Sequence, residues 1–66
     1  MTGKKILALR RRARLTQNDL GIILGTTANI VSRWERDVCK PQLRFERRLI
    51  ELCKAQKMSR EDIQNA

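Results

Sequence analysis

Histidine and tyrosine are absent from this 66-residue chain, tryptophan, phenylalanine and proline occur once each, and cysteine only twice. Without histidine the commonest general base and a principal zinc ligand are both missing. Cys39 and Cys53 form no CxxC pair, so a zinc site would lack ligands, and an intracellular disulfide is not expected. The three glycines never spell a GxGxxG or any other phosphate loop, and no acidic pair sits in apolar surroundings. These absences speak against enzymatic chemistry, a cofactor or a small-molecule ligand. No apolar run approaches the roughly 18 residues of a membrane span, and the first residues lack a signal peptide's apolar segment, so a cytoplasmic protein is expected.

Acidic residues are also scarce. Seven of them face fifteen lysines and arginines, a formal charge of +8, which points to a polyanion as partner. A membrane surface is one candidate, but the apolar residues recur as a core stripe and the aromatics are few, which suits a surface-lying peptide poorly. The length allows one domain with a small core, close to the lower limit for folding unaided, and an oligomer would relieve that limit. There is no repeat, linker or low-complexity segment.

Five helices and no strand are expected, at 4–13, 17–24, 28–36, 43–56 and 60–64. Ile6, Leu9 and Ala13 are spaced to cover the next two helices. Thr16 with Asp19 three residues on reads as a capping box opening a helix near Gln17, in which Leu20, Ile23 and Leu24 form one face. Gly25 supplies a left-handed stop. Thr27 then caps a helix whose Val31 and Trp34 face the same core, after a turn of only a few residues. Beyond Pro41, the residues Leu43, Phe45, Leu49, Leu52 and Cys53 predict a fourth helix, and Ser59 caps a short fifth with Ile63 folding back.

Leu9-Arg10, Leu15-Thr16-Gln17, Leu20-Gly21, Gly25, Val31, Trp34-Glu35 and Pro41 together resemble the signature of the Cro/C1-type, or Xre-type, helix-turn-helix DNA-binding proteins. The resemblance spans about residues 4 to 63. It implies an all-α, compact five-helix bundle of the lambda-repressor-like type, with the helix-turn-helix in helices 2 and 3. Two residues depart from the pattern. Gly21 stands where alanine is usual, at roughly 0.5 to 1 kcal/mol of helix stability, and Asp37 where glycine is usual. Ile22 and Ile30 occupy places usually polar, as scattered surface residues, a partner contact or a contact to a thymine methyl.

The resemblance also distributes roles. Arg10 and Glu35 are implied to form a partly buried, bidentate structural ion pair, and Trp34 to belong to the core. Ala28, Asn29, Ser32 and Arg33 would read base edges in the major groove: Asn29 suits adenine, Arg33 guanine or a phosphate, and Ala28 a thymine methyl. Gln17, Thr27, Arg36, Lys40 and Arg44 would hold phosphates, and Arg11, Arg12 and Arg14 would supply a general positive field or an ordinary solvated helix end. The implied function is a sequence-specific regulator of transcription, dimeric on a palindromic operator, in the setting of a phage repressor, a restriction-modification controller or a DNA-binding antitoxin. The competing reading is a protein-interaction module that keeps the fold without reading DNA.

Overall fold

The computed structural model describes residues 1–58, and among them the chain is all-α: α1 is Gly3–Arg12, α2 Gln17–Leu24, α3 Ala28–Glu35 and α4 Leu43–Ala55. The fifth helix expected at 60–64 lies outside the described residues. α2 has the bounds expected of it. α1 begins one residue earlier than expected because Thr2 caps it, its hydroxyl accepting from the Lys5 N–H at 3.3 Å. Ala13, Arg36 and Gln56, expected inside helices 1, 3 and 4, are instead their C-terminal caps.

The capping box is fully formed. The Asp19 N–H donates to the Thr16 hydroxyl and the Thr16 N–H to the Asp19 carboxylate, both at 3.0 Å. These bonds hold the Asp19 carboxyl below the usual carboxylate range. Gly25 ends α2 at φ 77°, and its N–H and that of Thr26 return to carbonyls of the last turn. Only Gly25, Thr26 and Thr27 separate α2 from α3. Gly21 lets the two helices meet closely, for its Cα faces the backbone of Thr27 and Ala28.

Ile6, Leu9, Leu20, Leu24, Val31, Trp34, Leu49, Cys53 and Met58 form the core of the described residues. Trp34 meets Phe45 with ring centroids 5.3 Å apart. Three apolar residues fall elsewhere than expected. Ile23 is 44% exposed, because α2 turns its inner face toward Gly21 and α3 and leaves Ile23 at the edge. Leu43 is 62% exposed, since at the first position of α4 it sits roughly a quarter to a third of a turn round the helix from Cys53 and Leu49, at the edge of the buried face. Ile30, expected at the surface, packs half-buried on the core, whereas Ile22 is fully outside at 69%. Both cysteines are free: Cys39 is exposed and Cys53 buried, with burial raising its thiol pKa. No helix among the described residues is long and apolar enough to cross a membrane.

Distant parts of the chain are tied by polar contacts that spacing does not announce. Asp37 takes the left-handed conformation at φ 58°, and its carboxylate accepts the Gly3 N–H at 3.0 Å. The Met1 ammonium pairs with Glu46 at 2.8 Å. Arg12, assigned above to a general field, donates from Nε to the Gln56 carbonyl at 3.0 Å, satisfying one of the last carbonyls of α4.

Candidate nucleic-acid interface

On a helix of 3.6 residues per turn, Ala28, Ser32, Asn29 and Arg33 occupy one continuous arc of about 140°, opposite the arc that holds Val31, Trp34 and Ile30. Asn29 and Arg33 are exposed, while Ala28 and Ser32 are half-buried. Ala28 lies beside α2, next to Gly21, so the arc starts at the α2–α3 contact and opens outward. Thr27 caps α3 through its hydroxyl, which accepts the Ile30 N–H at 3.3 Å and keeps its own proton free to donate. Arg36 folds back so that its Nε donates to the Ser32 carbonyl at 3.4 Å.

Lys40 and Arg44 flank the entry to α4. The cap residue of that helix, Gln42, makes no side-chain bond to the first turn; its carbonyl takes the Phe45 N–H at 3.0 Å, which leaves the N–H groups of Leu43 and Arg44 open. A concavity of about 400 Å³ lies there, floored by Trp34, Phe45 and Ile30 and rimmed by Thr26, Lys40, Gln42 and Arg44. The Arg44 guanidinium rests 4.6 Å from the centroid of the Phe45 ring, which steadies the charge at that rim. Arg48, one turn further along α4, lines the adjoining hollow with Arg44. Its spacing of four from Arg44 would have found it in the sequence; nothing in the sequence points to Thr26 or Gln42.

The Arg10–Glu35 pair is bidentate, Nε to Oε2 at 2.7 Å and Nη2 to Oε1 at 3.2 Å, with side-chain exposures of 19% and 7%. Glu35 raises the Arg10 pKa further above its ordinary value, chiefly through those hydrogen bonds. Arg10 also donates from Nη1 to the Leu15 carbonyl at 3.1 Å, fixing the turn in which Arg14 adopts φ 57°. Gln17 does not project freely from the start of α2. It is half-buried, and its amide nitrogen donates to Glu35 Oε1 at 3.1 Å.

Charge is distributed unevenly over this surface. Arg33, Arg36, Lys40, Arg44 and Arg48 follow one another from α3 through the loop to α4, and the carboxylate bonded to Gln17, that of Glu35, is neutralised by Arg10, while the Asp19 carboxylate in the same turn of α2 bonds the Thr16 N–H. A scan of protein-family models and searches of curated proteins and of solved structures found no match to this chain.

Proposed function

We propose that this protein binds double-stranded DNA in a sequence-specific manner, with α2, the short turn and α3 acting as a helix-turn-helix of the Cro/C1 type, and that it regulates transcription from the cytoplasm. The observation that carries this reading is the adjacency of a polar, outward arc on α3 to a run of arginine and lysine that ends at an open helix N-terminus. Side chains on the first two turns of such a helix reach base edges, while basic groups and free backbone N–H groups on either side hold phosphates. Asn29 and Arg33 are the reading residues, Ala28 and Ser32 complete the contact, and Gln17, Thr27, Arg36, Lys40 and Arg44 grip the backbone.

A homodimer on a palindromic site is supported by the small size of the domain and by its exposed apolar surface, where Ile22 and Ile23 are exposed and a hollow is lined by Ile23, Leu24, Leu52 and Ala55 together with Arg48 and Glu51. Two half-sites would then be centred about 34 Å apart along one side of the duplex. Sites selected from a randomised DNA pool, followed by titration at rising salt, test the reading. Nanomolar-range binding should fall on the order of 10³-fold between 50 and 200 mM salt if about six phosphates are neutralised. Affinity indifferent to salt, or a pool that yields no preferred motif, would overturn it.

A further inference from the structure

We infer that Glu35 is a positioning residue for the contact between Gln17 and a DNA phosphate: the Arg10–Glu35 pair holds the Gln17 amide in place before the polyanion arrives. This inference rests on the DNA-binding reading above. Its basis is a shared acceptor. Glu35 Oε1 accepts from both Arg10 Nη2 and Gln17 Nε2, at 3.2 and 3.1 Å, while Oε2 takes the short bond from Arg10 Nε. A primary amide carries two N–H donors, and Glu35 uses one of those on Gln17. The second remains for a ligand at the start of α2, where the helix end already favours negative charge.

Two consequences separate this arrangement from an ion pair that only braces the fold. Gln17 has three rotatable bonds, and ordering a free glutamine opposes binding by a factor of roughly ten or more. Glu35 has already imposed that order in the unbound protein. A lone carboxylate next to the phosphate path would repel it, but Arg10 cancels the charge, so Glu35 anchors the amide without an electrostatic penalty.

The test is a mutant cycle on DNA affinity. Removing Glu35 alone would leave Arg10 partly buried without its partner, so the anchor is removed by replacing both members, Arg10→Met with Glu35→Leu. Apolar replacement of a whole buried pair is often neutral or stabilising, and the net charge stays at +8. Gln17→Ala should lower affinity about tenfold in the native background, and about two- to threefold in the pair-replaced background, with folding of all four proteins checked by melting. An independent reading comes from the unbound protein. One of the two side-chain amide protons of Gln17 should be shifted and slowed in exchange relative to those of the exposed Asn18 and Gln42, and the difference should vanish when the pair is replaced. Equal losses from Gln17→Ala in the two folded backgrounds, or a Gln17 amide that behaves like that of Asn18, would overturn the inference while leaving DNA binding intact. A native protein that binds no DNA would overturn the reading beneath it and the inference together.

Discussion

Gly21→Ala sets two effects of opposite sign against each other, and the structure decides which is larger. Alanine within a helix is favoured over glycine by about 0.5 to 1 kcal/mol, and the family this chain resembles usually has alanine here, so propensity alone predicts a stabilised protein. A Cβ at position 21, however, would lie 2.8 Å from the Thr27 carbonyl carbon and 3.1 Å from the Ala28 nitrogen. Carbon atoms pack best at about 3.5 to 4.0 Å, so α2 and α3 would have to part by roughly half an ångström. Both obstacles are backbone, and no side chain can swing aside to make room. Overpacking of this kind costs about 1 to 3 kcal/mol, which outweighs the propensity gain and leaves a net loss of about 1 kcal/mol. For a domain of this length that lowers Tm by about 4 to 8 °C.

Thermal melting followed by far-ultraviolet circular dichroism measures it, with a denaturant titration to show that the m-value is unchanged. A Tm equal to or above that of the native protein would show that the α2–α3 contact yields freely and that the argument from close approach is wrong. Because Thr27 and Ala28 open α3, the same displacement shifts the outward arc. DNA affinity of the variant should therefore fall even at temperatures where the protein is fully folded.

Arg10→Met should destabilise the fold by about 3 kcal/mol, because it leaves the Glu35 carboxylate, 7% exposed, with only the Gln17 amide for company. Arg11→Met removes an exposed charge and should change Tm little; matching melting curves for the two would show that the pair contributes nothing. Asp19 predicts an acid limb to the stability curve. Its folded-state pKa is depressed by the Thr16 bonds, so its contribution is present above about pH 4 and is lost as pH falls through the folded value; Asp19→Asn should flatten that limb, and an unchanged pH profile would refute the assignment. Asn29→Ala should weaken binding to the preferred operator by roughly 1 to 3 kcal/mol and relax one base pair per half-site, while Lys40→Ala should weaken all sequences alike and lower the salt slope by about one. Site selection that returns the same motif with undiminished information for Asn29→Ala would remove Asn29 from the reading residues.

The start and stop of α2 are legible in the sequence because each is set by a local bond: Thr16 with Asp19 at one end, Gly25 at φ 77° at the other. Local chemistry also gives the faces of α3, where Val31 and Trp34 alternate with the polar arc at helical spacing. The misplacements are of another kind. Ile23 satisfies an i, i+3 reading with Leu20, and Leu43 opens an apolar series without an apolar residue three or four positions on, but a helix buries only the sector its neighbours cover. That sector depends on the close α2–α3 approach at Gly21 and on the course of α4. The Thr2 cap is marked in the sequence by residue type alone, since the first apolar residue of α1, Ile6, comes four residues later. Gln17 is the instructive case. Its place at the head of α2 suggests an outward side chain, yet its partner lies 18 residues away on α3, and no local pattern encodes that meeting.

The long-range ties share a logic that bears on how α3 is aimed. Gly3 bonds Asp37, Met1 bonds Glu46, Arg10 bonds Glu35 and the Leu15 carbonyl, and Arg12 bonds the Gln56 carbonyl. These four involve α1 or the residues just before it, and they reach the end of α3, the first and last turns of α4 and the turn before α2, whereas the Gln17–Glu35 bond joins α2 to α3 directly. The core of nine buried apolar residues among the described ones supplies attraction that is largely indifferent to direction. Directional bonds at both ends of α1 supply what such a core cannot, a fixed angle between α3 and the helices behind it. α1 contributes nothing to the outward arc, yet it acts as the strut against which the arc is held. The presence of a half-buried ion pair in so small a domain makes sense on that ground: its contribution lies less in net stability, which an apolar pair would match, than in holding one arrangement of helices against its near alternatives.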